Sequence, residues 1–164
     1  MRAAVLLSIG IATLWLQLTV APLVAVFGYK PNLLLLSVAV MGLRGVEPWL
    51  FLYAVGAGLS LDVFSHGVLG IYGLSFFAIS FLARLIGVSV YENSLLLGVA
   101  AVFGISLAEG LVSVTLFQWL DETVPWWHWM LTGVLPDALV NALWSPLVFY
   151  AFGRLERWVR PLEA

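Results

Sequence analysis

Two polar stripes on otherwise apolar runs hold the residues best suited to chemistry. In the run 94–120, Ser106, Glu109 and Ser113 fall on one helical face by i+3 and i+4 spacing. In the run 129–152, Asp137, Asn141 and Ser145 recur every four residues, again on one face. Counted from the connection between the runs, Glu109 and Asp137 lie at similar depth, about 16–18 Å at 1.5 Å per residue. No basic residue is expected at that depth, so at least one of the two carboxyl groups must carry a proton or be heavily hydrogen-bonded. The pattern fits a polar clasp between two helices, the plainer reading, or a proton or cation site.

A third carboxylate stands in GAGLSLDVFSHG, residues 56–67. One turn behind Asp62 is Gly58, and a further turn behind is Ala54, so the acid belongs to a face of small residues that another backbone can approach. A carboxylate is disfavoured at the C-terminal end of its own helix and favoured at the N-terminus of the next. Asp62 is therefore expected to turn back and cap the following helix near Gly67–Gly70, with Ser65 or His66 beside it. It would lock a hairpin whose small faces receive a partner helix. Asn at 62 should then be mild and Leu disruptive.

Other chemistries lack their residues. There is no phosphate-cradling glycine loop and no paired-histidine metal motif. His66 and His128 fall in connections, and nothing singles out a Ser–His–acid set. The chain has no Cys, which removes disulfides, thiolate ligands and thiol nucleophiles. The seven basic residues are scattered or C-terminal, so no nucleic-acid footprint forms. The expectation is a protein that is not an enzyme and has no cofactor or metal.

The elements that must hold these residues are apolar. Of 164 residues, 63% are hydrophobic and 10% charged, and mean hydropathy is +1.07. A soluble domain of this size cannot bury so much apolar side chain, so a bilayer is the natural solvent. Six runs follow, at 3–27, 31–43, 48–64, 68–87, 94–120 and 129–152, all expected to be helical in one transmembrane domain spanning 1–164. The first run continues too far for a signal peptide and reads as a retained helix. The second reaches only about 20 Å and would take in flanking residues, thin the membrane or lie partly inside the bundle. Pro31 and Pro48 suit first helical turns.

With both termini cytoplasmic, the inner side collects Arg2, Arg44, Arg84, Arg154, Arg157 and Arg160, and the outer side keeps Lys30. Trp119, Trp126, Trp127 and Trp129 would form an outer aromatic belt, and Trp49, Tyr91, Tyr150 and Trp158 an inner one. The three arginines near Trp158 read as an anchor at anionic headgroups.

The segments KPNLLLLSVAVMGLRG and GAGLSLDVFSHGVLGIYGLSFFAISFLARLIG resemble the core of the rod shape-determining protein MreD family. The matching features are Pro31–Asn32 opening a Leu-rich helix, the turn at Arg44–Gly45, the Gly58-to-Asp62 element, and Gly67 and Gly70 before a long fourth helix. The likeness is strongest over residues 30–90 and elsewhere is one of character. It implies an all-α integral membrane protein of six transmembrane helices, with a fold similar to the S subunits of energy-coupling-factor transporters. It also implies a non-enzymatic scaffold in the bacterial inner membrane. Such a scaffold binds MreC, within an assembly of MreB, RodA and its partner transpeptidase, and supports peptidoglycan synthesis and rod shape. Pro31, Asn32, Ala54, Gly58, Asp62, Gly67 and Gly70 become structural or partner-interface candidates. Ser106, Glu109, Ser113, Asp137, Asn141 and Ser145 remain the internal clasp. The alternative is a small-ligand-binding membrane subunit of a transporter.

Overall fold

The computed structural model describes residues 3–45, 49–65, 68–91, 94–120 and 125–159. Pro48, His66 and Gly67, together with Arg2, Arg160 and the acidic stretch 121–124, lie outside them. The described chain is all-helical, with an isolated backbone bridge between Val26 and Tyr29. The helices are α1 (Ala3–Thr19), α2 (Leu33–Leu43), α3 (Leu50–Ser65), α4 (Ile71–Tyr91), α5 (Leu95–Leu120), α6 (Trp126–Trp129) and α7 (Leu135–Val159). A π-helical turn, Met130–Val134, joins α6 to α7 without a break, so six rods result. The rod containing α7 and the α5 rod are long and apolar enough to cross a membrane; the other four are shorter apolar helices.

α2 is the centre of the bundle. Every residue from Leu34 to Leu43 is buried, and α1, α3, α4, α5 and α7 all pack around it. Its eleven residues amount to about 16 Å of helix. Of the roles open to the short second run, the structure shows enclosure inside the bundle. A helix buried on all sides needs no amphipathic pattern, and LLLLSVAVMGL has none. Its one hydroxyl, Ser37, donates to the Leu34 carbonyl and shares a 2.7 Å bond with the Tyr53 hydroxyl of α3.

The first run differs most from expectation. The apolar run predicts helix over 3–27, but α1 stops at Thr19. Pro22 has no N–H to continue the ladder and disfavours helical backbone at Ala21. Turns follow, and Phe27 and Gly28 both take positive φ, 51° and 89°, where the Val26–Tyr29 bridge reverses the chain. The last run is extended instead, beginning at Trp126 rather than 129 and continuing to Val159.

Two prolines inside that rod free carbonyls, and each finds a donor. Pro136 cannot bond to Thr132, whose carbonyl accepts the Tyr29 hydroxyl at 2.6 Å. Pro146 cannot bond to Ala142, whose carbonyl accepts Ser145 Oγ at 2.8 Å. The first of these ties the 20–32 turn to the π-helical turn. Both segments then border the cavity described next.

Candidate functional site

A cavity of about 790 Å³ opens among the 20–32 turn, the C-terminal end of α3, the N-terminal end of α4, α5 and the rod holding α7. Such volumes are typical of small-molecule sites. Its wall combines apolar side chains (Leu61, Val114, Phe117, Trp129 and Val134) with polar ones from every neighbouring element.

Asp62 sets the geometry of one wall. It is 2% exposed, and its carboxylate accepts three backbone N–H bonds from the start of α4. Oδ1 takes Tyr72 at 3.0 Å; Oδ2 takes Gly70 at 2.9 Å and Gly73 at 3.2 Å. The acid therefore caps α4, satisfying N–H groups that a helix start leaves open. Gly70, at φ +103°, supplies the turn. This places Tyr72 in the cavity wall. Because both oxygens are engaged, Asn at 62 is not the mild change that the sequence suggested: its NH₂ would confront N–H donors.

Ala54 and Gly58 are buried, and the face they share with Asp62 is already filled by α4. A Cβ at Gly58 would fall on the Tyr72 carbonyl and lie 2.7 Å from the Gly73 Cα. This face therefore receives the chain's own next helix and not a partner's. Pro31 is buried, and Asn32 caps α2, accepting Leu35 N–H at 3.1 Å. Gly67 lies outside the described residues.

The two polar stripes meet, but not as a direct clasp. Ser106, Glu109, Ser113, Asp137 and Asn141 all border the cavity. Glu109 Oε1 accepts Ser113 Oγ, and Ser113 reaches Ser75 of α4 at 3.0 Å. No hydrogen bond joins Glu109 to Asp137 among the described residues. Asp137 is exposed and is coupled electrostatically to Lys30 and Glu109, and both acids to Tyr72. Ser145 serves its own helix, as above, and stands apart from the cavity.

Asn141 has a different task. Its Oδ1 accepts Asn32 N–H at 2.8 Å, while Gln17 Oε1 of α1 accepts Leu33 N–H at 2.6 Å. With Asn32 bonding Leu35, three N–H groups at the half-buried start of α2 are satisfied by three amide side chains. Gln17 escaped the sequence reading although its signal was present: a lone amide in the apolar run LWLQLT. Tyr72 escaped as well, since its position depends on the Asp62 turn. Lys30, counted in the sequence as an outer charge, also borders the cavity.

Ser106 is 4% exposed and its Oγ has no hydrogen-bond partner among the described residues. The described residues hold no cluster of three or more His, Asp or Glu able to bind a metal ion. No protein-family model matches the chain, and neither curated proteins nor solved structures provide a match.

Proposed function

We propose that the chain is a multi-pass protein of a bacterial inner membrane that acts as a non-enzymatic scaffold of the MreD kind. On this reading it binds a single-pass partner such as MreC and works with MreB, RodA and its partner transpeptidase in peptidoglycan synthesis during rod-shaped growth. Both termini are cytoplasmic, so Lys30 and the cavity mouth face outward. The bilayer covers the large apolar side chains exposed around the bundle, among them Leu7, Ile11, Leu52, Phe77, Leu96 and Leu143. In water such a surface would drive association.

The observation that carries the scaffold reading is an open small-residue face on α3. Gly56 and Ser60 lie opposite the filled Gly58 face, and a Cβ at Gly56 would meet nothing within 4 Å. Leu52, Leu59 and Val63 border them and are exposed. Ser60 Oγ bonds back to the Gly56 carbonyl, so the face presents no unsatisfied hydroxyl. Small residues four apart with apolar flanks are the usual seat of a second membrane helix. The residues that carry the resemblance also supply the buried α2 and the Asp62 cap.

Expression in a rod-shaped bacterium depleted of its own MreD tests the proposal. Restored rods are the expected result; cells that remain spherical, with the chain present in the membrane, contradict it. The cavity favours a second reading, a small-ligand-binding membrane subunit of a transporter. Under that reading, ATP-binding-cassette ATPases and not cell-wall synthases would accompany the protein.

A further inference from the structure

We infer that the cavity is a binding site for a primary ammonium group, seated against Glu109, Asp137 and Ser106. The site is independent of the scaffold role, and its failure would leave that role standing.

Ser106 Oγ is more than nine-tenths buried on the cavity wall and bonds to nothing among the described residues. An unpaired buried hydroxyl is costly, and a roomy polar cavity beside it points to a guest that completes it. Ser106 is three residues before Glu109, one turn away on the same face of α5. Glu109 uses Oε1 for Ser113, leaving Oε2 as an acceptor. Asp137 adds a second carboxylate from the opposite rod.

The charge balance gives the sign of the guest. Lys30 borders the same cavity as the two acids, and a cationic guest adds the second positive charge that both carboxyl groups need to ionise together. The shape of the acceptor set gives the type. A primary ammonium has three N–H donors and no acceptor, and two carboxylates plus one hydroxyl offer it three acceptors. A trimethylammonium group offers none of those donors. Asn141 and Gln17 spend their oxygens on α2, which leaves their NH₂ groups as donors for an oxygen further along the same guest. The apolar wall, Phe117 and Trp129 especially, suits a short carbon chain.

An aminoethyl group with a nearby oxygen fits this description and has two sources: a free small amine, or the headgroup of an aminophospholipid. The test uses the full-length protein in nanodiscs, following Trp fluorescence and native mass spectrometry. Probes are ethanolamine, choline, and nanodiscs containing phosphatidylethanolamine or phosphatidylcholine. We expect binding of the ethanolamine form at least tenfold tighter than its choline counterpart. Ser106→Ala and Glu109→Gln should each weaken it about tenfold, with melting temperatures unchanged in Ser106→Ala. Response to free ethanolamine assigns the solute source; retention of phosphatidylethanolamine alone assigns the lipid source. Equal binding of ethanolamine and choline forms, no binding of either, or parent-like affinity in both variants overturns the inference.

Discussion

Asp62 illustrates how one side chain fixes a site from a distance. Its two oxygens hold three N–H groups of α4, and Tyr72 is carried into the cavity wall as a result. Asp62→Asn keeps one acceptor and sets an NH₂ against N–H donors, so it should cost about 2–4 kcal/mol, and Asp62→Leu at least as much. Unfolding in mixed detergent measures both, and a parent-like Asn variant would contradict the three-bond cap. The role of Asp62 was legible from its position just before a glycine turn and a new helix. Which oxygen bonds which amide was not, because that depends on the tight α3–α4 approach at Gly58. Steric room separates the neighbouring glycines in the same way. Gly58→Ile must push α3 from α4 backbone to backbone and should lower stability by about 1–3 kcal/mol or more. A Cβ at Gly56 meets nothing within 4 Å, so Gly56→Ile should change unfolding far less than Gly58→Ile.

Among the elements, α2 depends most on its neighbours. The start of α2 is half-buried, and Asn141, Gln17 and Asn32 supply acceptors for its N–H groups. Gln17→Leu and Asn141→Leu should each cost about 1–3 kcal/mol by stranding one N–H, measurable by the same unfolding assay. Loss of neither would contradict the capping role. Apolar runs made the existence and approximate bounds of most helices legible. The depth of α2 was hinted at by its length alone, since a uniformly apolar helix reads the same whether lipid or protein surrounds it. The early end of α1 was signalled by Pro22, but the apolar residues after it masked the signal. The last rod is the converse case: Pro136, in principle a helix breaker, lies within a run read as continuous helix and is accommodated by the π-helical turn and by Tyr29, more than a hundred residues away in sequence. The polar stripes on α5 and α7 were likewise legible as faces; that they border a cavity together with the 20–32 turn and Tyr72 of α4, instead of bonding to each other, is set by tertiary packing that no local pattern encodes.

At the scale of the whole molecule, the proposed scaffold is an apolar bundle in a bilayer with its cavity opening outward. The absence of cysteine makes this directly measurable, since any introduced thiol is the sole one. Lys30→Cys should react with an impermeant maleimide added outside intact spheroplasts, and Arg154→Cys only after permeabilisation; the reverse pattern would invert the topology. The central claim is that the open Gly56–Ser60 face of α3 seats a single-pass partner. The most direct test is a gentle-detergent pull-down of tagged protein from native membranes, comparing the parent with Gly56→Ile and identifying what accompanies each by mass spectrometry. The account predicts stoichiometric recovery of a single-pass coiled-coil protein of the MreC kind, together with cell-wall synthases, and its loss in a Gly56→Ile variant that remains folded. Recovery of ATP-binding-cassette ATPases in their place, or a partner held equally by the parent and the Gly56→Ile variant, would contradict it.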